Sequence, residues 1–298
     1  MIGERVLRNI SRERTGHRTV TSRRRLSTTT VLAYLVLAVV CVFNLLPFAF
    51  MLFTSLKTDQ EAYAIPPTFL PQQPTLEAYA QVLVWSDFPR YFWNSTIVSL
   101  GTALLSTILG ALAGYGFSRF NFRGRGTFLG LFLATQMLPG VLLVGPYFKL
   151  LSAVGLYNTY LGLILAFTTI TLPFSTWMLK GFVDTVPEEM DHAALVDGCT
   201  PFGAFVRVVL PVIGPGMVAT IVFAFLLAWG DLLWALVLTG SDDMAMVTLG
   251  LSRLVTQFRI IWPQLMAGSI IASVPCMVLY LALQGYLVKG LTAGAVKE

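Results

Sequence analysis

Charge is scarce in this chain of 298 residues. Asp, Glu, Lys and Arg make up 12% of it, about half of the roughly 25% usual in soluble domains, while apolar residues reach 56% and mean hydropathy is +0.74. Too few charges remain to solvate an outer surface, and a core of this size cannot hide so much apolar area; lipid is the expected solvent. Histidine is rarer still. With His17 and His192 alone, a multi-histidine metal site is not available. The three cysteines, Cys41, Cys199 and Cys276, are far apart with no CxxC pair, which indicates neither a disulfide framework nor a zinc site. No GxxxxGK[ST] loop is present to cradle phosphates, and neither HExxH nor GxSxG occurs. Asp231 is the one carboxylate clearly inside an apolar run, so a facing pair of acids sharing a proton cannot form there. The composition therefore argues against an enzyme.

What the chain does have is long uncharged windows. A bilayer core takes about 20 apolar residues per helix, and six windows qualify: Leu26 to Leu56, Tyr91 to Ser118, Gly126 to Phe148, Leu150 to Leu179, Val208 to Gly230 (continuing past Asp231 to about Gly240), and Ile260 to Val288. The first is too long for a cleavable signal peptide and reads as a retained span. Prolines at 139, 146, 173, 215 and 275 should interrupt helices inside these windows, with Gly140 beside the first.

The basic residues supply the orientation. Arg5, Arg8, Arg12, Arg14, Arg18, Arg23, Arg24 and Arg25 crowd residues 1–28, next to the first window, where they read as a topology signal with contact to anionic lipid rather than as a nucleic-acid patch. With that tail in the cytoplasm, 15 of the 20 Lys and Arg fall inside, and five (Lys57, Arg90, Lys149, Arg253 and Arg259) fall outside. Both termini are then cytoplasmic. The outer loop from Lys57 to Arg90, with prolines at 66, 67, 71, 74 and 89, should be a shaped loop rather than a domain.

The inside loop at 184–211, DTVPEEMDHAALVDGCTPFGAFVRVVLP, is the most informative stretch. Thr185 followed by Glu188 reads as a capping box with Pro187 in the first turn, and Glu188, Glu189 and Asp191 suit the positive end of a helix. Met190, Ala193 and Ala194 leave a low face that another surface can approach. Gly198 suits a left-handed helix end, and Thr200-Pro201 then begins a second helix with Phe202, Phe205, Val206 and Val209 on one face. A solvated connector lying on the membrane is the plain alternative.

In this register the chain resembles the transmembrane permease subunits of bacterial ABC importers, in particular the maltose-type carbohydrate branch. The family hallmark is EAA, three residues, Gly, nine residues, Ile, one residue, Leu-Pro. Here His192-Ala193-Ala194, Gly198, Val208 and Leu210-Pro211 occupy it, with His192 in place of the glutamate and Val208 in place of isoleucine. FTSLKTDQEAYAIPPTFLPQQPTLEAY is similar to the family's first outer loop, NSTIVSLGTALLSTILGALAGYGFSRFNFRGR to its second span, AWGDLLWALVL to its fifth (Gly230 standing where asparagine is usual), and GLTAGAVKE to its carboxyl-terminal signature.

The resemblance implies an all-α polytopic membrane protein of the bacterial inner membrane, with an Arg-rich tail (1–28) and a six-helix permease domain (29–298). It implies a second permease sharing the pathway, two ATPase subunits that bind ATP and Mg while this chain carries no cofactor, an external solute-binding protein, and a sugar or polyol as cargo. A coupling helix, Glu188 to Asp197, would sit in a groove of the ATPase, engaging Glu188, Glu189, Asp191, His192, Ala193, Ala194, Gly198 and Pro211. Trp229, Asp231 and Trp234 are candidate pathway residues, against a packing or interfacial role for the tryptophans. A self-contained carrier or channel, or an importer of a non-sugar solute, is the alternative function.

Overall fold

The computed structural model describes residues 28–295, with side chains from 29 to 285; the arginine tail and the side chains of GLTAGAVKE lie outside the described residues. Among them the architecture is all-helical, and a single isolated bridge, Val255 with Ile260, is the one extended pairing. Residues 1–49 and 50–298 are two units. Helix α1 (Thr28–Ser55) is apolar on every side, and the large side chains between Val31 and Phe48 are exposed, as a lipid- or partner-facing helix requires.

The second unit is built around α2 (Phe88–Arg119), which packs along much of its length against a later helix. After α2 come α3 (Arg125–Ala134) and α4 (Gly140–Ala153), then α5 (Tyr160–Asp184), the short α6 (Glu188–Val196), α7 (Gly214–Gly230), α8 (Leu233–Leu238) and α9 (Trp262–Ala295). Between lipid-soluble helices there is little hydrophobic gain, so close backbone approach and hydroxyl bonds hold them together. On α2, Ser99, Thr102, Ser106, Gly110 and Gly114 recur at helical spacing, all buried, and α5 faces them with Thr171, Ser175 and Thr176. Ser106 and Ser175 share a hydrogen bond of 2.8 Å, and Thr171 donates to Ser106 at 2.9 Å. A Cβ on Gly114 would lie 2.8 Å from the Lys180 nitrogen, so this crossing depends on glycine.

Four helices are long and apolar enough to cross a membrane unaided, α1, α2, α5 and α9; two bent pairs bring the number to six. Two of the six windows are bent pairs, and the interruption expected at Pro139 and Gly140 is one of the two breaks. The third is broken: residues 125–137 and 140–153 meet at 100°, because Pro139 cannot donate to the preceding turn and Leu138 before it is extended. The fifth begins at Gly214 rather than Val208, after an 80° bend that leaves Val208 in the preceding loop. The fourth starts at Tyr160, since Leu150 belongs to α4. Pro146, Pro173 and Pro275 lie inside continuous helices, and Pro215 sits in the first turn of α7.

The loop at 57–90 is shaped as its prolines suggest. Glu61 gathers Thr68 Oγ1 and the Gln72 amide, each at 2.8 Å, while Lys57 donates to the Thr68 carbonyl. Arg259 reaches Asp59 at 2.9 Å and Tyr63 at 3.2 Å, so this loop is tied to the segment before α9.

Candidate functional site

Asp184 ends α5, and Thr185 closes it by donating its hydroxyl to the Phe182 carbonyl at 2.7 Å. The expected capping box is absent, because the next helix has its cap at Pro187. Pro187 is the residue before α6 and caps it without a side-chain bond, its ring holding φ at −57°. The helix starts too late in the chain for Thr185 to cap it: the cap position falls to Pro187, which has no side-chain acceptor.

Helix α6 runs Glu188–Val196, with Asp197 as its cap rather than its last residue. Its end matches expectation closely. Gly198 has φ +88°, the Gly198 amide donates to Leu195 O at 3.1 Å, and the Cys199 amide donates to Ala194 O at 2.9 Å. That paired arrangement closes the last carbonyls of the helix around a left-handed residue, which is what glycine permits. Thr200 then caps the next turn, accepting from the Gly203 amide at 3.1 Å with Pro201 in the first helical position.

The faces of the following segment differ from expectation. Phe205–Val209 is a π-helical turn, whose wider winding sends Phe205 and Val209 inward and leaves Phe202 and Val206 outside. Phe205 packs on Tyr115 with ring centres 4.9 Å apart. Pro211 is exposed near the bend that leads into α7.

The decisive geometry is on α6 itself. Asp191 is buried, accepting from Arg119 Nε at 2.7 Å and from the Tyr115 hydroxyl at 3.1 Å, and Arg119 also donates to the Val186 carbonyl at 2.7 Å. Both side chains of this ion pair are 9% exposed. Ala194, one turn later, is likewise buried. Of the eight residues expected to meet a partner, Asp191 thus fastens the helix to the end of α2, and Ala194 is buried within the chain. Glu188, Glu189, His192 and Ala193 remain exposed, joined by Val196, 88% exposed. Glu189, His192, Ala193 and Val196 recur at i, i+3, i+4 and i+7, one outward stripe.

Arg119 and Tyr115 escaped the sequence reading because they lie 72 and 76 positions from Asp191. Their signal was an arginine directly after an apolar window, which reads equally as a topology charge. Beside the clamp, a cavity of about 430 Å³ is lined by Arg119, Arg125, Lys180, Asp184 and Glu188 among others. Among the described residues no group of three or more His, Cys, Asp or Glu could hold a metal ion.

The second set of expected residues is mostly internal. Trp229 is buried, stacks on Phe225 and donates to the Ala272 carbonyl at 3.1 Å. Trp234 is buried with its ring edge-on to Tyr147, 4.9 Å between centres. Both rings are thus engaged in helix packing within this chain. Asp231 joins α7 to α8, its carboxylate accepting from the Trp234 amide at 2.7 Å and its carbonyl from Thr248 at 2.7 Å.

The profile of the family described as "binding-protein-dependent transport system inner membrane component" matches residues 106–293. The chain belongs to that family. As a permease of this kind it is 37% identical to the inner membrane ABC transporter permease protein YcjP of Escherichia coli, over 89% of this chain and 95% of that one. It is 34% identical to the sulfoquinovosyl glycerol transport system permease SmoH of Agrobacterium fabrum (89% and 93%) and 32% identical to the trehalose/maltose permease MalG of Thermococcus litoralis (90% and 95%). A crystal structure of a bacterial ABC transporter involved in import of the acidic polysaccharide alginate shares the fold, with a TM-score of 0.74 at 17% identity, covering 86% of this permease and 95% of that chain.

Proposed function

We propose that this permease forms half of the membrane pathway of an ATP-driven importer for a sugar or related polyol. A second permease completes the pathway, a solute-binding protein delivers the cargo from outside, and two ATPase subunits holding ATP and Mg drive it. This chain carries no cofactor of its own. Sugar-linked names among relatives that match over nearly the whole length support the cargo class.

The observation that carries the coupling role is the two-sided character of α6. A connector lying loose in solvent has no reason to bury an ion pair, whose desolvation costs several kcal/mol per ion unless the geometry is good. A helix that must pass force from one protein to another needs a firm seat on one side and an open stripe on the other. Asp191 and Ala194 supply the seat; Glu189, His192, Ala193 and Val196 supply the stripe. Gly198 and Pro211 shape the exit of the loop.

Copurification tests the reading. Affinity capture of the tagged chain from its native membrane should bring down a second permease and an ATPase, and the chain alone should hydrolyse no ATP. A pure homomer that moves solute into liposomes unaided would overturn it.

A further inference from the structure

The break in the third span opens a notch that the coupling loop does not use. Its volume is about 320 Å³, and it lies where α3, α4 and α5 meet, with Thr135, Gln136, Tyr147 and Thr169 contributing polar groups between apolar walls such as Phe132 and Leu143. That size is at the lower end of ligand pockets, which run from about 300 to 1,000 Å³. Gln136 and Thr169 are exposed in this chain. Facing lipid, a broken helix and a row of amide and hydroxyl groups would be costly; both are tolerated where they line a water-filled cavity. In many transporters the discontinuous helices are where cargo is held.

The hydrogen bonds inside the notch decide what chemistry it accepts. Thr169 donates to the Ala166 carbonyl at 2.7 Å, so the 2.7 Å bond between its oxygen and Tyr147 must have the phenol as donor. Thr135 donates to the Phe132 carbonyl at 2.7 Å, and the Gln136 amide nitrogen donates to the Ile170 carbonyl at 2.9 Å. Most of the donors are turned inward. With the Thr135, Tyr147 and Thr169 hydroxyl hydrogens engaged, what these lining groups have left to offer a ligand is chiefly acceptor oxygen, that of Gln136 included. No lining side chain carries a charge. Such a surface takes a molecule rich in hydroxyl donors and offers nothing to compensate an anion. Trp234, edge-on behind Tyr147 and fixed by Asp231, holds the phenol in place.

We propose that this notch is a cargo subsite for one uncharged, polyhydroxylated ring, contributed by this chain to the shared pathway. The proposal rests on the importer reading above. Its test is the importer assembled with its second permease, ATPases and binding protein in proteoliposomes. The probes are radiolabelled trehalose, maltose and diacetylchitobiose, with sulfoquinovosyl glycerol as a sulfonated comparison, and the measurement is uptake per ATP hydrolysed at saturating probe. Gln136→Leu and Thr169→Val should each lower that ratio about fivefold for a neutral sugar, the weight of one hydrogen bond. Thr169→Phe, which fills the notch, should lower it more than tenfold, while Thr169→Ser keeps the hydroxyl and should stay near wild type. Unchanged ratios in the first three variants would overturn the subsite. So would a parallel loss of complex assembly in all four, which would mark a structural role, or transport of the sulfonated probe alone. A wild-type importer that carries no sugar would instead overturn the importer reading, and the subsite with it.

Discussion

Two adjacent alanines on α6 have opposite fates, and the difference can be measured. Ala194 faces the chain's own bundle, so Ala194→Trp should overpack it and lower stability by about 1–3 kcal/mol. Ala193 faces outward, so Ala193→Trp should leave thermal unfolding of the detergent-solubilised chain within about 0.5 kcal/mol of wild type and weaken ATPase association instead. Equal effects of the two on association would count against the outward stripe. Arg119 gives a stronger test: Arg119→Met strands Asp191 without its cation, and breaking a buried pair from one side costs about 3–5 kcal/mol. The expected outcome is a lower melting temperature together with protease cleavage near α6. Asp191 was legible in the sequence as an acid in a helix's first turn, yet its partner was not, because an ion pair across 72 residues has no periodicity to reveal it.

Among the elements, local chemistry was read well where one residue has one task. Gly198 and Thr200 do what their residue types suggest, since a left-handed helix end and a hydroxyl cap are settled within a few residues. Thr185 differs from expectation because α6 begins at Glu188, which puts Pro187 rather than Thr185 at the cap position. Phe202 and Val206 misled because a π turn changes the winding without a marker in composition. The loop at 57–90 offers a prediction in pH. Backbone bonding from Gln72 foremost, with Thr68, Gln73 and Lys57 adding to it, holds the Glu61 carboxyl below the usual carboxylate range. A lowered value in the folded loop means that its contribution to order is fully present above the unfolded value and disappears as pH falls through the folded one. Amide hydrogen exchange at Gln72, with intrinsic pH rates divided out, should show the loop opening in that acidic window, and Glu61→Gln should abolish the step.

For the molecule as a whole, the windows located the membrane helices, because twenty uncharged residues have few other uses. They did not show that the third window is bent by 100°: hydropathy counts residues and is blind to direction, and Pro139 looked no different from the prolines that stay inside continuous helices. The charge bias predicts that both termini are cytoplasmic. Single cysteines at Gln72 and Gly203, in a background lacking Cys41, Cys199 and Cys276, should react with a membrane-impermeant thiol reagent from opposite sides of intact cells. Reaction of both from outside would reverse the coupling loop and end the account of its partners.

The clamp also has a consequence in time. Arg119 leaves the ribosome 72 residues ahead of Asp191, and at 5–20 residues per second that is an interval of roughly 4–14 s. Through that interval the arginine has no carboxylate to meet and must stay in water, where it anchors the end of α2 against being drawn into the bilayer. When Asp191 is made, the same charge is withdrawn from solvent and becomes the seat of α6. One side chain thus serves successively as a stop for the growing polypeptide and as a fastening in the finished one. A neutral substitute would be absent from both events, so part of the harm done by Arg119→Met should appear as misinserted nascent chain, before there is a folded permease to be unstable.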